Sequence, residues 1–311
     1  MRRLLVPRSA RVWVAAIAVV VALGACASGN AVWTSGDAPA PSRAVAAHYA
    51  TVNGMRMYYE LHGAARGTEP PLVLLHGGGS TIETTFGRVI PALAASRQVI
   101  AVEMQGHGHT ADRDGPLSFA QDADDVAALL REIAVPNADV LGFSNGANVA
   151  LELGRRHPDA VRRLVVAAGF VTRDGIPAPV WESFRQPPDT SNMPPVLRDA
   201  YRAAAPDPSR LPLLVTKLMQ RLNGFQDWTD ADIRSVRAPA LLMVGDADVI
   251  TVEHAARMAR LLPHARLVVF PNATHGAYLG DAAAAPCPVC VTAAVAFVDR
   301  FLADAPEPTA R

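Results

Sequence analysis

Residues 142–146 read Gly-Phe-Ser-Asn-Gly and place a serine between two glycines. The pattern follows a short apolar run, 138–141, and precedes a helix-like run, 147–153, so Ser144 is predicted to lie on a turn from a strand into a helix. Strand and helix pass close together at such a turn, which favours glycine two positions before and after the serine. The turn exposes the hydroxyl and puts the amide of Asn145 at a helix N-terminus, where it can donate to an oxyanion. The residues indicate a nucleophilic serine; the alternative is a glycine-rich turn with an uninvolved serine.

A serine hydroxyl is a weak nucleophile near neutral pH and needs a nearby base, which in turn needs a group that orients it. Of the nine histidines, only His275 follows the last predicted strand, 267–270, in a glycine-flanked loop. Asp246 and Asp248 follow the preceding predicted strand, 240–244. The carboxyl ends of parallel strands meet at one edge of a sheet, so these side chains are predicted to converge. The alternatives are a histidine that fixes its loop and aspartates that cap the next helix.

From about His48 to its end, the chain resembles the α/β-hydrolase superfamily. The serine turn, a glycine-rich loop after the predicted strand 72–75, an acid turn and a histidine loop follow one another in the order of that family. The resemblance implies an α/β fold with a mostly parallel central sheet flanked by helices and a small helical cap. It implies neither a cofactor nor a metal.

The resemblance also assigns roles to individual residues. Ser144 takes the position of the nucleophile and His275 that of the base. The acid of this family commonly ends a Gly-x-x-Asp turn, which maps onto Asp248 and leaves Asp246 as the second choice. The oxyanion hole is assigned to the amides of Asn145 and Gly78.

The glycines around Gly78 also resemble those of an esterase branch with an extended oxyanion loop, although Asn145 departs from the acidic neighbour usual in that branch. The segment 105–109, Gln-Gly-His-Gly-His, resembles the Gly-His-Gly loop of capped hydrolases, in which the histidine is structural. A zinc site at His107 and His109 is the less favoured alternative because no further ligands are apparent. Glu103 is interpreted as a carboxylate that supports the site or as a loop residue bonded to nearby backbone.

The segment 171–237 interrupts the alternation of strands and helices. It is rich in proline and contains short helical stretches at 196–205 and 213–222. Its apolar and aromatic residues supply enough surface to pack, so a helical cap is favoured over a disordered insert. The predicted hydrolase core is accordingly divided into 48–170 and 238–305.

The N-terminus has the pattern of a secretory signal peptide. Four arginines precede the apolar run 12–25, which is shorter than a membrane-spanning helix needs to be. The run ends at Cys26 in a sequence that resembles a bacterial lipobox. We therefore predict a signal peptide, 1–25, a lipid-bearing Cys26 and a flexible tether, 26–47, which is rich in alanine, serine, glycine and proline. The alternative is a plain signal peptide and a secreted protein.

Cys287 and Cys290 are the only other cysteines of the chain. In an exported protein this spacing favours a small disulfide. A redox-active dithiol would need a thioredoxin-like setting, which the surrounding pattern lacks, and two free thiols are the remaining alternative. A disulfide would stiffen the loop that carries His275.

The sequence as a whole predicts an exported, membrane-anchored serine hydrolase of the cell envelope. The 29 basic and 29 acidic residues form no basic stripe with aromatic residues, so nucleic-acid binding is not expected. A carboxylesterase acting on small or medium acyl esters is favoured. The alternatives are a cofactor-free C–C hydrolase or perhydrolase with the same triad, and a binding lipoprotein without catalysis.

Overall fold

The computed structural model describes residues 46–67 and 69–304. The predicted signal peptide, Cys26 and most of the predicted tether lie outside these ranges. Within these ranges eight strands form one sheet, and their bounds are β1 (Ala46–Val52), β2 (Met55–His62), β3 (Leu72–Leu75), β4 (Val99–Val102), β5 (Ala138–Phe143), β6 (Val161–Ala167), β7 (Ala240–Ala247) and β8 (Ala265–Thr274). Since β1 begins at Ala46, the last two residues assigned to the tether belong to the sheet.

The strand order across the sheet is β1-β2-β4-β3-β5-β6-β7-β8. The six neighbouring strands β4, β3, β5, β6, β7 and β8 pair in parallel. Strand β2 pairs antiparallel with both β1 and β4. Every residue of β3, β4 and β5 is buried, as their continuous apolar sequences predict for strands covered on both faces. The prediction of a mostly parallel sheet flanked by helices is confirmed.

In the described part of the chain, ten α-helices connect and cover these strands. Their bounds are α1 (Ile82–Phe86), α2 (Ile90–Ser96), α3 (Phe119–Glu132), α4 (Asn145–Arg156), α5 (Ala178–Phe184), α6 (Pro195–Ala204), α7 (Leu211–Asn223), α8 (Asp230–Ser235), α9 (Val252–Leu261) and α10 (Pro288–Ala303). Among the residues given above, no helix is both long and apolar enough to cross a membrane.

Residues 81–95 have helical spacing, and the structure divides them between two helices, α1 and α2. Pro91 lies in the first turn of α2 and has no amide hydrogen to donate to the carbonyl four residues earlier. The helical hydrogen-bond ladder therefore stops after α1 and begins again.

The cap lies between β6 and β7 and contains α5 to α8. Part of its apolar surface joins the main core through Trp181, Phe184, Leu222 and Phe225. The rest forms a separate cluster with Leu117 of the core, and this cluster comprises Leu117, Met193, Leu197, Tyr201, Leu211, Leu214, Val215, Leu218 and Met219. Ion pairs join α7 to the core. Lys217 and Arg210 contact Asp112 at 2.7 and 3.2 Å, and Arg221 contacts Asp122 at 2.7 Å.

Cys287 and Cys290 are joined by a disulfide. Cys287 immediately precedes α10, and Cys290 lies buried in its first turn. The disulfide thus closes a single helical turn at the end of the loop that follows His275.

Candidate active site

The serine turn has the strained backbone that its sequence predicts. Ser144 has φ 53° and ψ −117° and directly precedes α4. A β-carbon at Gly142 would lie 2.1 Å from the carbonyl oxygen of Gly146, and a β-carbon at Gly146 would lie 2.1 Å from that of Leu75. Both glycines are therefore required by the close passage of strand and helix.

Ser144, His275 and Asp248 form a continuous chain of hydrogen bonds. Ser144 Oγ lies 3.0 Å from His275 Nε2, and His275 Nδ1 lies 2.6 Å from Asp248 Oδ1. Asp248 Oδ1 also accepts a hydrogen bond from the amide of Ile250 at 3.1 Å. The carboxyl that contacts the histidine is thus Asp248, whereas Asp246 is exposed at the end of β7.

The surroundings of His275 favour its protonated form. The imidazole is 23% exposed and the side chain of Asp248 is fully buried. Burial alone would lower the pKa of His275, but the charge and hydrogen bond of Asp248, with a further contribution from Asp281, raise it above its ordinary value. The ring of Phe143 lies 4.8 Å from the imidazole, centroid to centroid. The imidazole can therefore accept a proton from Ser144 and hold it as an imidazolium.

The two predicted oxyanion donors face the same cavity as Ser144. Among the hydrogen bonds of the described residues, the amides of Gly78 and Asn145 donate to no protein atom. A β-carbon at Gly78 would lie 1.8 Å from Asn145 Nδ2, so only glycine fits against this asparagine. Both amides are available to a developing negative charge.

Two buried histidines hold the oxyanion loop. His107 Nε2 accepts a hydrogen bond from the amide of Gly79 at 2.9 Å, and His76 Nε2 accepts one from the amide of Met104 at 3.1 Å. Burial lowers the pKa of both imidazoles, which keeps them neutral and able to accept. The predicted structural role of the Gly-His-Gly loop agrees with these contacts.

Glu103 has no contact with the triad. It is buried, and its carboxylate accepts hydrogen bonds from the amide of His109 at 2.5 Å and from that of Ile82 at 3.4 Å. His109 Nδ1 lies 2.9 Å from the same carboxylate. His109 and His107 therefore have different partners, and no group of three or more potential metal ligands occurs within 46–67 and 69–304.

A cavity of about 110 Å³ opens at the triad between the core and the cap. Its wall is predominantly apolar and includes Phe143, Phe170, Ile176, Val180, Phe184, Leu197, Leu218, Met219, Leu222, Val249 and Ile250. Helices α5, α6 and α7 of the cap contribute to this wall. The cap therefore determines much of the shape that a substrate meets.

Asp281 also lines this cavity, and no pattern in the sequence predicts it. It follows His275 by six residues in an irregular loop, and its burial depends on how that loop packs against α1. Sequence patterns report strand and helix periodicity, whereas the position of a loop carboxyl depends on tertiary contacts.

Comparisons with known proteins agree with the fold of this chain. The model of the alpha/beta hydrolase family matches residues 72–286. A pimeloyl-[acyl-carrier protein] methyl ester esterase of Neisseria meningitidis serogroup B is 32% identical over 241 residues, which cover 68% of this chain and 88% of that enzyme. The chain therefore belongs to the alpha/beta hydrolase family.

Two further similarities are to a curated hydrolase and to a solved structure. A 2-hydroxy-6-oxo-2,4-heptadienoate hydrolase of Pseudomonas putida is 30% identical and covers 69% of this chain and 85% of its own length. The crystal structure of the enol-lactonase from Burkholderia xenovorans LB400 superposes with a TM-score of 0.64 at 22% identity, over 83% of this chain and all of that one. The latter similarity concerns the fold alone.

Proposed function

We propose that this chain is a serine carboxylesterase. The observation that carries the proposal is the hydrogen-bonded chain from Ser144 through His275 to Asp248, at 3.0 and 2.6 Å. Ser144 attacks the ester carbonyl while His275 takes its proton, and the amides of Gly78 and Asn145 stabilise the oxyanion. Collapse of the tetrahedral intermediate breaks the ester C–O bond, and the imidazolium returns its proton to the departing alkoxide.

Water completes the cycle. His275, now neutral, takes a proton from a water molecule that attacks the acyl-Ser144 carbonyl. The second tetrahedral intermediate collapses, the C–O bond to Ser144 breaks, and His275 returns the proton to the serine oxygen. The products are a carboxylic acid and an alcohol, and the chain is regenerated without a cofactor.

The cavity supports a small, apolar, uncharged ester as substrate. Its volume of about 110 Å³ is less than the roughly 150 Å³ of a cavity that accommodates benzene, which favours acyl chains of about four carbons. Among the described residues, no lysine or arginine lines it, and Asp281 adds an acidic group. A carboxylate-bearing substrate would therefore meet no compensating cation there.

A cofactor-free C–C hydrolase is the second candidate, because the Pseudomonas putida relative acts, by its name, on a heptadienoate. The absence of a cation among the lining residues disfavours such an anionic substrate. Perhydrolysis would use the same triad, with peroxide in place of water.

The test is labelling by a fluorophosphonate, which reacts with an activated serine. We expect labelling of the wild type and none of the Ser144→Ala variant, which retains its fold because the hydroxyl faces the cavity. A series of p-nitrophenyl esters from acetate to laurate should show the highest kcat/KM near butyrate. A heptadienoate and a peracid assay should give much lower rates. Failure of the folded wild type to label would instead support a binding protein without catalysis.

We further propose that the chain is exported and anchored through a lipid on Cys26. The support is the signal-peptide and lipobox pattern of the sequence. A Cys26→Ser variant should move the esterase from the membrane fraction to the soluble fraction or accumulate as a precursor. Unchanged fractionation would contradict the anchor and leave the plain secreted form.

A further inference from the structure

A second buried carboxyl, that of Asp281, lies in the loop that follows the histidine of the triad. Asp281 is 7% exposed and lines the same cavity as Ser144 and His275. Its amide donates to the carbonyl of Gly276 at 3.1 Å, which anchors it to the residue after the histidine. A β-carbon at Gly276 would lie 2.8 Å from Cβ of Asp281, so this glycine permits the close approach.

One oxygen of this carboxyl has a partner and the other does not. Oδ1 accepts a hydrogen bond from the amide of Ala283 at 2.8 Å, whereas Oδ2 is buried and unpartnered among the described residues. The neighbouring Thr85 Oγ1 is likewise buried; it acts on Asp281 as a nearby polar group, although the two side chains do not meet the geometry of a hydrogen bond. The loop is held against α1 by the amide of Ala282, which donates to Thr84 at 2.8 Å. Buried carboxyl oxygens usually have a hydrogen-bond partner, so the unpartnered Oδ2 of Asp281 in the cavity of Ser144 is an exception that points to a functional role.

The charged groups around Asp281 are few. The elements packed on it contribute Thr84 and Thr85, both neutral, and the exposed Arg88, whose stem packs against Gly280. Burial raises the pKa of Asp281, and the amide of Ala283, the charge of His275 and Thr85 oppose that rise. His275 is thus the charged group that acts on this carboxyl.

His275 in turn is influenced by two acids. Asp248 accepts the hydrogen bond from Nδ1 at 2.6 Å, and the charge of Asp281 acts on the imidazole without a hydrogen bond. With His275 neutral, a charge on Asp281 has no cation to compensate its burial, which is unfavourable. When His275 gains the proton of Ser144, that compensation appears.

We propose that Asp281 is a positioning residue for His275, whose carboxylate stabilises the imidazolium formed as Ser144 attacks. The inference rests on the proposed role of the triad and adds a second acid to it. Asp248 fixes the orientation of the ring through a hydrogen bond, whereas Asp281 acts through space on its charge.

The Asp281→Asn variant tests this, because it removes the charge while retaining an oxygen that can accept from Ala283. Loss of the negative charge lowers the pKa of His275, so the acid limb of the kcat/KM profile should move to lower pH by about half a unit to one unit. The plateau kcat should fall about three- to tenfold, since the imidazolium is less stabilised. The Asp246→Asn variant removes an equal charge from an exposed position and should leave the limb in place.

A second measurement does not depend on turnover. The pKa of His275 can be measured by NMR from its Cε1 proton in the Ser144→Ala variant, with the resonance assigned by its loss in His275→Gln. We expect a lower pKa when Asp281→Asn is added, and the same shift with Asp281→Ser should the asparagine variant not fold. An unchanged pKa in a folded variant would overturn the proposal and leave Asp281 as a loop-capping residue. Failure of the proposed esterase would appear separately, as absence of fluorophosphonate labelling in the wild type.

Discussion

At the scale of single residues, the site depends on differences between chemically identical side chains. Asp246 and Asp248 lie two positions apart in one turn, yet only Asp248 reaches His275. His107 and His275 both follow parallel strands, but burial keeps His107 neutral while Asp248 favours protonation of His275. Environment rather than residue type therefore separates these roles.

The two aspartates provide a matched pair of substitutions. Asp248→Asn removes the acceptor that fixes the tautomer of His275, so kcat/KM for an ester should fall about 10³- to 10⁴-fold. Asp246→Asn changes an exposed residue and should leave kcat/KM within about twofold. Steady-state kinetics on both variants, with circular dichroism to verify folding, decides the assignment. The reverse ranking would transfer the acid role to Asp246.

The pH dependence of the reaction follows from the state of His275. The base must be neutral to accept the serine proton, and its raised pKa keeps it protonated to a higher pH than an ordinary imidazole. The rate should therefore decline on acidification with a midpoint above about 6.5, the ordinary value. A kcat/KM profile from pH 5 to pH 9 measures this midpoint. A midpoint well below 6.5 would mean that burial lowers the pKa of His275 by more than Asp248 and Asp281 raise it.

At the scale of elements, much of the architecture follows from local sequence. Continuous apolar runs predict the buried strands, and the glycines of 142–146 predict the serine turn. The helical spacing of 81–95 does not show that the segment forms two helices, which are separated because Pro91 interrupts the backbone hydrogen bonds. Asp281 could not be predicted, because its burial arises from contact with α1, nearly two hundred residues away in sequence. Local sequence patterns thus predict strands and helices, whereas contacts between a loop and a distant helix are seen only in the three-dimensional structure.

A buried ion pair joins the cap to the core, and its contribution to stability can be measured. Arg221 of α7 and Asp122 of α3 pair with both side chains 2% exposed, and burial raises the pKa of Asp122 to about 6 against the opposing charge of Arg221. Arg221→Met leaves a buried acid without its cation and should lower the free energy of unfolding by about 3–5 kcal/mol. Chemical denaturation measures this change.

Two comparisons make the cap experiment decisive. The double variant Arg221→Met/Asp122→Leu removes both charges and should recover most of the lost stability. Arg234→Met breaks an exposed pair with Asp230 in α8 and should cost at most about 1 kcal/mol. Equal losses of unfolding free energy from Arg221→Met and Arg234→Met would mean that breaking the buried pair costs no more stability than breaking an exposed one.

At the scale of the whole molecule, the disulfide links the histidine loop to the last helix. It closes only four residues, so it removes little entropy from the unfolded chain. Cys290→Ser should therefore lower the free energy of unfolding by about 2 kcal/mol at most. Thermal denaturation of the oxidised wild type and the variant provides the comparison. Two alkylatable thiols in protein purified from an oxidising compartment would contradict the bond.

Lys217 is the single lysine of the chain, and it is 7% exposed because its ammonium bridges Asp112 at 2.7 Å and the carbonyl of Arg113 at 2.8 Å. An amine-reactive acylating reagent can modify this side chain only in molecules whose bridge from cap to core has opened. Peptide mass mapping then counts the modified fraction over time. The rate at which this one lysine is modified thus reports how often α7 separates from the core, and no engineered label is needed.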